Sequence, residues 1–193
     1  MTTLTPEMMI NAYAQGYFPM AEPDESDQIY WWLPETRALL PIGDFHIPRR
    51  LARTLRQGRF EIRRNVDFEA IIRACADRGE TWLSEDLIQV FLELHRTGWA
   101  HSIGAYHDGE LCGGLYGLAL GRAFFAESMY HTRRDASKAA LVGLVKWLAK
   151  ADFALLDVQF MTDHLRQFGA YEVDADAYDE LLDVAISTGT AFE

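Results

Sequence analysis

Cysteine is scarce in this sequence of 193 residues, which contains only Cys75 and Cys112. The two thiols form neither a CxxC motif nor a zinc-like spacing with the six histidines. Neither an HExxH motif nor an i, i+4 pair occurs among the later histidines, His101, His107, His131 and His164. We therefore expect reduced cysteines, no disulfide and no metal site.

Long hydrophobic runs are also missing. The most apolar long run, residues 139–149, is interrupted by Lys146 and is too short to span a bilayer. The N-terminal residues MTTLTPEMM lack the basic-then-apolar order of a signal peptide. These absences argue against a membrane-spanning helix and predict a cytoplasmic protein.

Positive charge is in short supply, because the formal net charge is −11. A net negative charge argues at first against a nucleic-acid partner, since Lys and Arg carry phosphate binding. The distribution of charge changes this view, because residues 46–65 contain seven arginines and a single acidic residue, Glu61. This basic segment is either a phosphate-binding surface or a solvated helix face paired with acidic neighbours, and the residues alone leave both open.

The motifs of two common catalytic and binding loops are absent. The glycine-rich stretch at residues 113–121 alternates like a strand and lacks the GxxxxGK[ST] pattern of a phosphate loop. No serine lies in a GxSxG frame, which argues against a nucleophile elbow and covalent catalysis.

The pattern of elements predicts an α+β fold. Pro48 and Gly58 bracket a short arginine-rich helix, and we assign residues 1–64 to a small N-terminal α/β lobe. In residues 65–193, three strands follow two helices, and Asp108-Gly109 is a hairpin signal between the first two strands. A helix from about residue 136 then leads to the strand LLDVQ, so this helix is expected to be a crossover packed on the sheet.

Two polar residues interrupt that last strand. Asp157 and Gln159 lie two residues apart, so in a continuous strand they would share one face. Glu127, near the end of an apolar strand, is expected to face the same region of the sheet. Burying an unpaired carboxylate is costly, so these groups are either hydrogen-bonded struts or the lining of a cleft for a cationic or protic ligand. The pattern does not choose between the two.

Three tryptophans come from loop-like segments: Trp31, Trp32 and Trp82. Aromatic side chains in such segments stack on unpaired bases in many RNA-binding proteins. They are equally well explained as core aromatics.

Taken in order, several segments resemble the bacterial leucyl/phenylalanyl-tRNA–protein transferase family. The matching motifs are GYFPM at 16–20, WWLPETRALLP at 31–41, FHIPRRL at 45–51, TWLS at 81–84, LHRTGWAHSI at 94–103, GGLYG at 113–117, ESMY at 127–130, ASKAAL at 136–141 and DVQ at 157–159 with the following DHL. They extend over most of the chain, and their common order makes the resemblance specific.

The resemblance implies transfer of Leu or Phe from aminoacyl-tRNA to the N-terminal Arg or Lys of a protein, which marks that protein for degradation. It also implies an N-acetyltransferase-like (GNAT) C-terminal domain, a mixed and mostly antiparallel sheet flanked by helices. No cofactor is implied, because the aminoacyl ester is already activated.

The resemblance also implies roles for individual residues. Asp157 and Gln159 would form the reaction centre, and Glu127 with Asp157 would bind the cationic acceptor. The pocket for the amino-acid side chain would consist of Leu115, Phe124, Met129, Leu144 and Leu148. The tRNA would be bound by Trp31, Trp32, Trp82, Arg49, Arg50, Arg53 and Arg56.

The sequence departs from the family pattern at several positions. HSIGAY stands where HSxEVW is common, so Gly104 and Tyr106 replace a Glu and a Trp, and Leu144 and Leu148 replace residues that are usually aromatic. A coenzyme-A-dependent N-acetyltransferase is the main alternative, although RRDASKAAL offers no glycine for a pyrophosphate loop. A non-catalytic RNA-binding module is a third possibility.

Overall fold

The structure, a computed structural model, describes residues 4–22, 28–77 and 81–187. Most of the acidic segment EPDESDQ, predicted to be rich in turns, lies outside the described residues. The described helices are α1 (Pro6–Tyr13), α2 (Arg49–Arg56), α3 (Phe68–Ala76), α4 (Glu85–Arg96), α5 (Ala136–Lys150), α6 (Asp163–Arg166) and α7 (Ala175–Ser187). The described strands are β1 (Phe18–Glu22), β2 (Gln28–Trp32), β3 (Thr36–Leu39), β4 (Glu61–Arg64), β5 (Ala100–His107), β6 (Glu110–Leu120), β7 (Ala123–His131), β8 (Leu155–Asp157) and β9 (Tyr171–Asp174).

Local sequence signals account for several element boundaries. The hydroxyl groups of Thr5, Ser84 and Thr162 accept hydrogen bonds from backbone N–H groups in the first turns of α1, α4 and α6. Asp108 and Gly109 both have positive φ angles, 53° and 82°, as a tight two-residue hairpin between β5 and β6 requires.

A seven-stranded sheet, in the order β4-β5-β6-β7-β8-β3-β9, organises the fold, and β1 pairs with β2 in a separate hairpin. The β7–β8 pair is parallel, whereas the other pairs in the sheet are antiparallel. Because parallel strands need a crossover, α5 connects β7 to β8 as predicted. The predicted α+β class, with a mixed and mostly antiparallel sheet flanked by helices, is confirmed.

Helices cover the two faces of the sheet and form two apolar layers. One layer contains buried side chains of α1, α3, α4 and α7, and the other contains those of α2, α5 and α6. The seven-stranded sheet includes β3 and β4 from residues before 65, so the sheet is shared across the division predicted at residue 64. That division into 1–64 and 65–193 stays a prediction.

Gly104 and Tyr106, two departures from the family pattern, are explained by one local contact. A Cβ atom added at Gly104 would lie 2.8 Å from the Tyr106 ring. The two residues lie on the same face of β5, so the tyrosine ring occupies the space that a side chain at 104 would need. The two departures are therefore coupled.

Candidate active site

The candidate site lies where β7 and β8 separate. The two strands pair from Ala123–Leu155 to Phe125–Asp157, and β8 then ends. On the other side of β7, the register with β6 shifts so that Glu127 has no partner residue in the ladder. Such a bulge redirects side chains at the edge of a pairing region, and here it lies beside the end of β8.

Asp157 has no exposed surface, and all its observed partners are inside the protein. The Arg37 guanidinium forms an ion pair with it, with Nε 3.1 Å from Oδ1 and 2.9 Å from Oδ2. Tyr178 donates a hydrogen bond to Oδ2 at 2.6 Å, and the backbone N–H of Gln159 donates to Oδ1 at 2.8 Å. The carboxylate is thus compensated by a buried cation, and an acceptor could reach it only by displacing these groups.

Arg37 was not predicted from the sequence to belong to the site. Its side chain is only 2% exposed, and its guanidinium carbon lies 4.7 Å from the centre of the Phe18 ring and 4.6 Å from that of Tyr178. Nη1 also donates to the carbonyl oxygen of Gly16 at 2.8 Å. Arg37 therefore connects the segment around β1 with Asp157. An arginine within the apolar stretch RALL was the available signal, since an arginine buried in a strand requires an anionic partner.

Gln159 reaches the site by a route that differs from the prediction. The strand predicted as LLDVQ ends at Asp157, and Gln159 has a left-handed backbone with φ of 57°. The prediction that a continuous strand places both residues on one face is therefore wrong. They come together because the chain turns after β8, where Asp157 accepts the Gln159 backbone N–H.

The carboxylate of Glu127 completes the cluster. Its Oε1 atom accepts hydrogen bonds from the Tyr13 hydroxyl at 2.7 Å and from the Gln159 side-chain amide at 3.2 Å. The pKa of Glu127 is raised to about 8, chiefly because the surrounding protein desolvates the carboxyl group. The hydrogen bond from Tyr13 opposes this rise, and the negative charge of Asp157 adds to it. Burial also raises the pKa of Tyr13, which keeps this hydroxyl protonated and able to donate.

The predicted pocket residues divide into two groups. Leu115, Phe124, Leu144 and Leu148 are buried in the apolar layer beneath α5. Met129 lies at the edge of this layer and lines a cleft of about 520 Å³. The remaining lining residues of this cleft are Ala74, Asp77, Tyr130, His131, Thr132, Ser137 and His164. The assignment of the five apolar residues to a side-chain pocket stays a prediction.

The predicted tRNA-binding arginines of α2 are exposed: Arg49, Arg50, Arg53 and Arg56. A second cleft, of about 580 Å³, lies between α2 and the segment before α5. The cations that line this cleft are Arg50, Arg53, Arg59, Arg133 and Arg134. Arg133 and Arg134 were not predicted to bind tRNA, and their position as an arginine dipeptide ahead of a helix was the available signal.

The cleft arginines differ from many others in this protein. Within residues 4–22, 28–77 and 81–187, no ion pair involves an arginine of this cleft, whereas Arg63, Arg73 and Arg96 each pair with a glutamate. In an acidic protein, a group of unpaired cations around one cleft points to an external anion.

Two of the three tryptophans pack in a different apolar layer from α2. Trp31 and Trp82 pack against the layer that contains α1 and α4, whereas α2 packs on the other face of the sheet. Trp32, on the β1–β2 hairpin, is 42% exposed. The structure joins the two tryptophan segments, because the backbone N–H of Ala21 on β1 donates to the carbonyl oxygen of Trp82 at 3.0 Å.

No group of three or more His, Cys, Asp or Glu side chains within the described residues could hold a metal ion. Within the same part of the chain, no helix has the length and apolar character needed to cross a membrane.

Comparisons with known proteins place this chain in the class of transferases that use aminoacyl-tRNA. The family model described as leucyl/phenylalanyl-tRNA protein transferase matches residues 39–183, and the model of its N-terminal domain matches residues 2–35. The chain belongs to the leucyl/phenylalanyl-tRNA–protein transferase family.

Curated relatives with this name match over nearly their full length. The protein of Paramagnetospirillum magneticum is 50% identical over 197 residues, a match that covers 100% of this chain and 94% of the relative. The protein of Gloeobacter violaceus is 47% identical over 192 residues, and this match covers 100% of this chain and 99% of the relative. The two alternatives, a coenzyme-A-dependent acetyltransferase and a non-catalytic RNA-binding module, are not favoured.

Solved structures that are similar to the chain include acetyltransferases. An aminoglycoside acetyltransferase from a soil metagenome is 16% identical with a TM-score of 0.43, and covers 71% of this chain and 92% of its own. A ribosomal-protein-alanine N-acetyltransferase from Brucella melitensis is 16% identical with a TM-score of 0.40, and the match covers 56% of this chain and 86% of the acetyltransferase. These likenesses concern the fold alone.

Proposed function

We propose that the protein transfers Leu or Phe from aminoacyl-tRNA to the N-terminal Arg or Lys of acceptor proteins in the cytoplasm, and thereby marks them for degradation. Family membership supports the reaction class. The assignment of the site rests on one observation: Gln159 is held by two hydrogen bonds, one from its backbone and one from its side chain. Asp157 holds its backbone N–H and Glu127 holds its side-chain amide nitrogen.

This fixation gives Gln159 a defined chemical task. Because its amide nitrogen donates to Glu127, its carbonyl oxygen is the atom that remains to accept a hydrogen bond from the acceptor amine. An aminoacyl ester is already activated, so positioning of the amine against the ester carbonyl carries much of the catalysis. The chemistry requires neither a metal nor a cofactor.

Glu127 and Asp157 take different parts in this proposal. Asp157 is fully buried against Arg37, so we assign it the positioning of Gln159. Glu127 is partly exposed and has no arginine or lysine within hydrogen-bonding distance among the described residues, so it is the carboxylate that can meet a cationic acceptor. A cationic acceptor favours the ionised form of Glu127, and this pairing of opposite charges would select a basic N-terminus.

The tRNA is assigned to two surfaces. The cleft arginines would hold acceptor-stem phosphates, and the tryptophans Trp31, Trp32 and Trp82 would pack around the terminal adenosine. The apolar layer around Leu144 and Leu148 would accept the Leu or Phe side chain through Met129 at its edge.

The reaction is tested with labelled Leu-tRNA and Phe-tRNA and with peptides that begin with Arg, Lys or Asp. We expect label to enter the Arg and Lys peptides and not the Asp peptide. Absence of label from all three would contradict the proposal. Acetylation of a peptide by acetyl-coenzyme A in a parallel reaction would instead support the acetyltransferase alternative.

The basic cleft is tested by the double variant Arg50→Ala/Arg53→Ala. Each phosphate contact contributes about 0.9 to the slope of log affinity against log salt for a duplex, so the slope should fall by up to about 2. Titration of labelled tRNA at several salt concentrations measures this slope.

Arg73→Ala/Arg96→Ala is the matched control, because it removes the same charge from arginines that already pair with glutamates on α3 and α4. We expect a salt slope close to that of the unmodified protein. Equal losses in the two double variants would show that net charge, and not this cleft, governs tRNA binding.

A further inference from the structure

The two oxygens of the Glu127 carboxylate have different surroundings. The hydrogen bonds from Tyr13 and from Gln159 both end on Oε1. Among the described residues, no donor reaches Oε2. Glu127 is also partly exposed, in contrast to Asp157. Oε2 is therefore an open oxygen that lies next to the amide proposed to hold the acceptor amine.

Polar and titratable groups from several elements surround Glu127. Tyr13 on α1 contacts it directly, and Gln159 does so from the turn after β8. Arg37 on β3 and Asp157 on β8 act on it through their charges. Two further tyrosines lie next to these neighbours. Tyr116 on β6 interacts electrostatically with Tyr13, and Tyr178 on α7 donates a hydrogen bond to Asp157.

From this geometry we infer that Glu127 is a catalytic residue, whose Oε2 atom receives the proton that the acceptor ammonium must lose before it can attack the ester. This inference rests on the proposed transfer reaction and goes beyond the charge-holding role that the family resemblance implies for Glu127. Asp157 is unsuited to the task, because its oxygens are buried and occupied by Arg37, Tyr178 and Gln159.

The transfer moves two protons from the acceptor nitrogen. The ammonium gives one proton to Oε2, and the free amine forms a C–N bond to the ester carbonyl carbon. When the tetrahedral intermediate collapses, the bond from carbon to the ribose oxygen breaks, one of the two remaining N–H protons passes to that oxygen, and the other stays on the amide nitrogen. The protonated Glu127 then releases its proton to solvent, so each turnover yields an amide, a free ribose hydroxyl and one proton.

The proton affinities of donor and acceptor are suitably matched. An α-ammonium group has a pKa of about 8, and the pKa of Glu127 is also raised to about 8. A base whose pKa lies near that of the donor and near the working pH is effective in general base catalysis.

The test compares Glu127→Gln with the unmodified protein in single-turnover reactions at subsaturating and saturating Arg peptide, which separates effects on the rate from effects on the KM for the acceptor. The pH runs from about 6.5 to about 9.5, on either side of the two pKa values of about 8. An ammonium group with a pKa of about 8 is already about one-tenth neutral at pH 7, so a base that removes this proton contributes up to about 10-fold there, and we expect a loss of up to that size. The loss should narrow at high pH, where the amine is neutral without assistance.

Tyr13→Phe provides a second variant that keeps the carboxylate and the aromatic packing. The hydrogen bond from Tyr13 lowers the pKa of Glu127, so its removal should raise that pKa. The rate of the unmodified protein should rise with pH through an inflection near 8, and the inflection should move to higher pH in Tyr13→Phe with the same peptide.

Two results would overturn the inference. One is a loss in Glu127→Gln that is confined to the KM for the acceptor or is the same at every pH, which indicates a charge-holding or structural role. The other is a Tyr13→Phe profile with an unmoved inflection. Failure of the unmodified protein to transfer label at all would contradict the proposed function instead, so the two failures are distinguishable.

Discussion

Replacement of Arg37 by methionine is expected to lower the free energy of unfolding by about 3–5 kcal/mol, because removal of one partner leaves a buried charge uncompensated. Asp157 has no exposed surface and depends on this guanidinium for its counter-charge. For a protein of this size the loss corresponds to a decrease in Tm of about 6–20 °C. Urea and thermal unfolding, followed by circular dichroism, measure the effect.

Two further variants show whether the unpaired charge is the cause. In Arg37→Met/Asp157→Asn neither buried charge remains, so we expect this double variant to recover part of the lost stability. Arg96→Met is the matched surface control, because Arg96 is 71% exposed and pairs with Glu93 at the surface. Its expected cost is about 0–1 kcal/mol. A loss in Arg37→Met that is no larger than in Arg96→Met would contradict the buried role of Arg37.

Replacement of Gln159 by glycine is expected to lower the single-turnover transfer rate by about 10²–10³-fold, the range found when a preorganised hydrogen-bonding group is removed from an active site. Glycine is the informative substitute because the backbone at 159 is left-handed, with φ of 57°. Glycine adopts this conformation without strain, so the variant should stay within about 1 kcal/mol of the original stability. The measurement is transfer of label to an Arg peptide, together with tRNA binding.

Gln167→Ala is the control for Gln159→Gly, since the Gln167 amide contacts only the carbonyl oxygen of His164 among the described residues. Transfer at the normal rate is expected. If Gln159→Gly kept its transfer rate, the amide would be dispensable, and the turn after β8 would serve only to shape the backbone. Asp157→Asn is less informative, because it leaves the Arg37 cation buried without its counter-charge.

Much of the fold follows from local signals in the sequence. Asp108-Gly109 predicted the hairpin between β5 and β6, and Pro48 and Gly58 predicted the bounds of the arginine-rich helix α2. The apolar helix before LLDVQ predicted the crossover from β7 to β8. These features depend on residues that are close in the chain, so local stereochemistry is enough to determine them.

Three residues of the candidate site were predicted correctly from the sequence, but the way in which the fold brings them together was not. Asp157, Gln159 and Glu127 were all chosen from the sequence, and the structure brings them together. The reason given for the first two, a shared face of one strand, was wrong because β8 ends at Asp157. Whether a strand continues or turns depends on its neighbours in the sheet, and those neighbours cannot be seen in the residues of the strand itself.

The sequence by itself determined the family, the α+β class and the carboxylates and amide of the site, because these rest on ordered motifs and local patterns. The tertiary structure alone decided that Arg37, 120 residues from Asp157 in the chain, neutralises that carboxylate, and that Glu127 keeps an open oxygen beside Gln159. The physical reason is that the state of a carboxyl group depends on burial and on charges within a few ångströms. These surroundings are assembled from distant segments only when the chain folds.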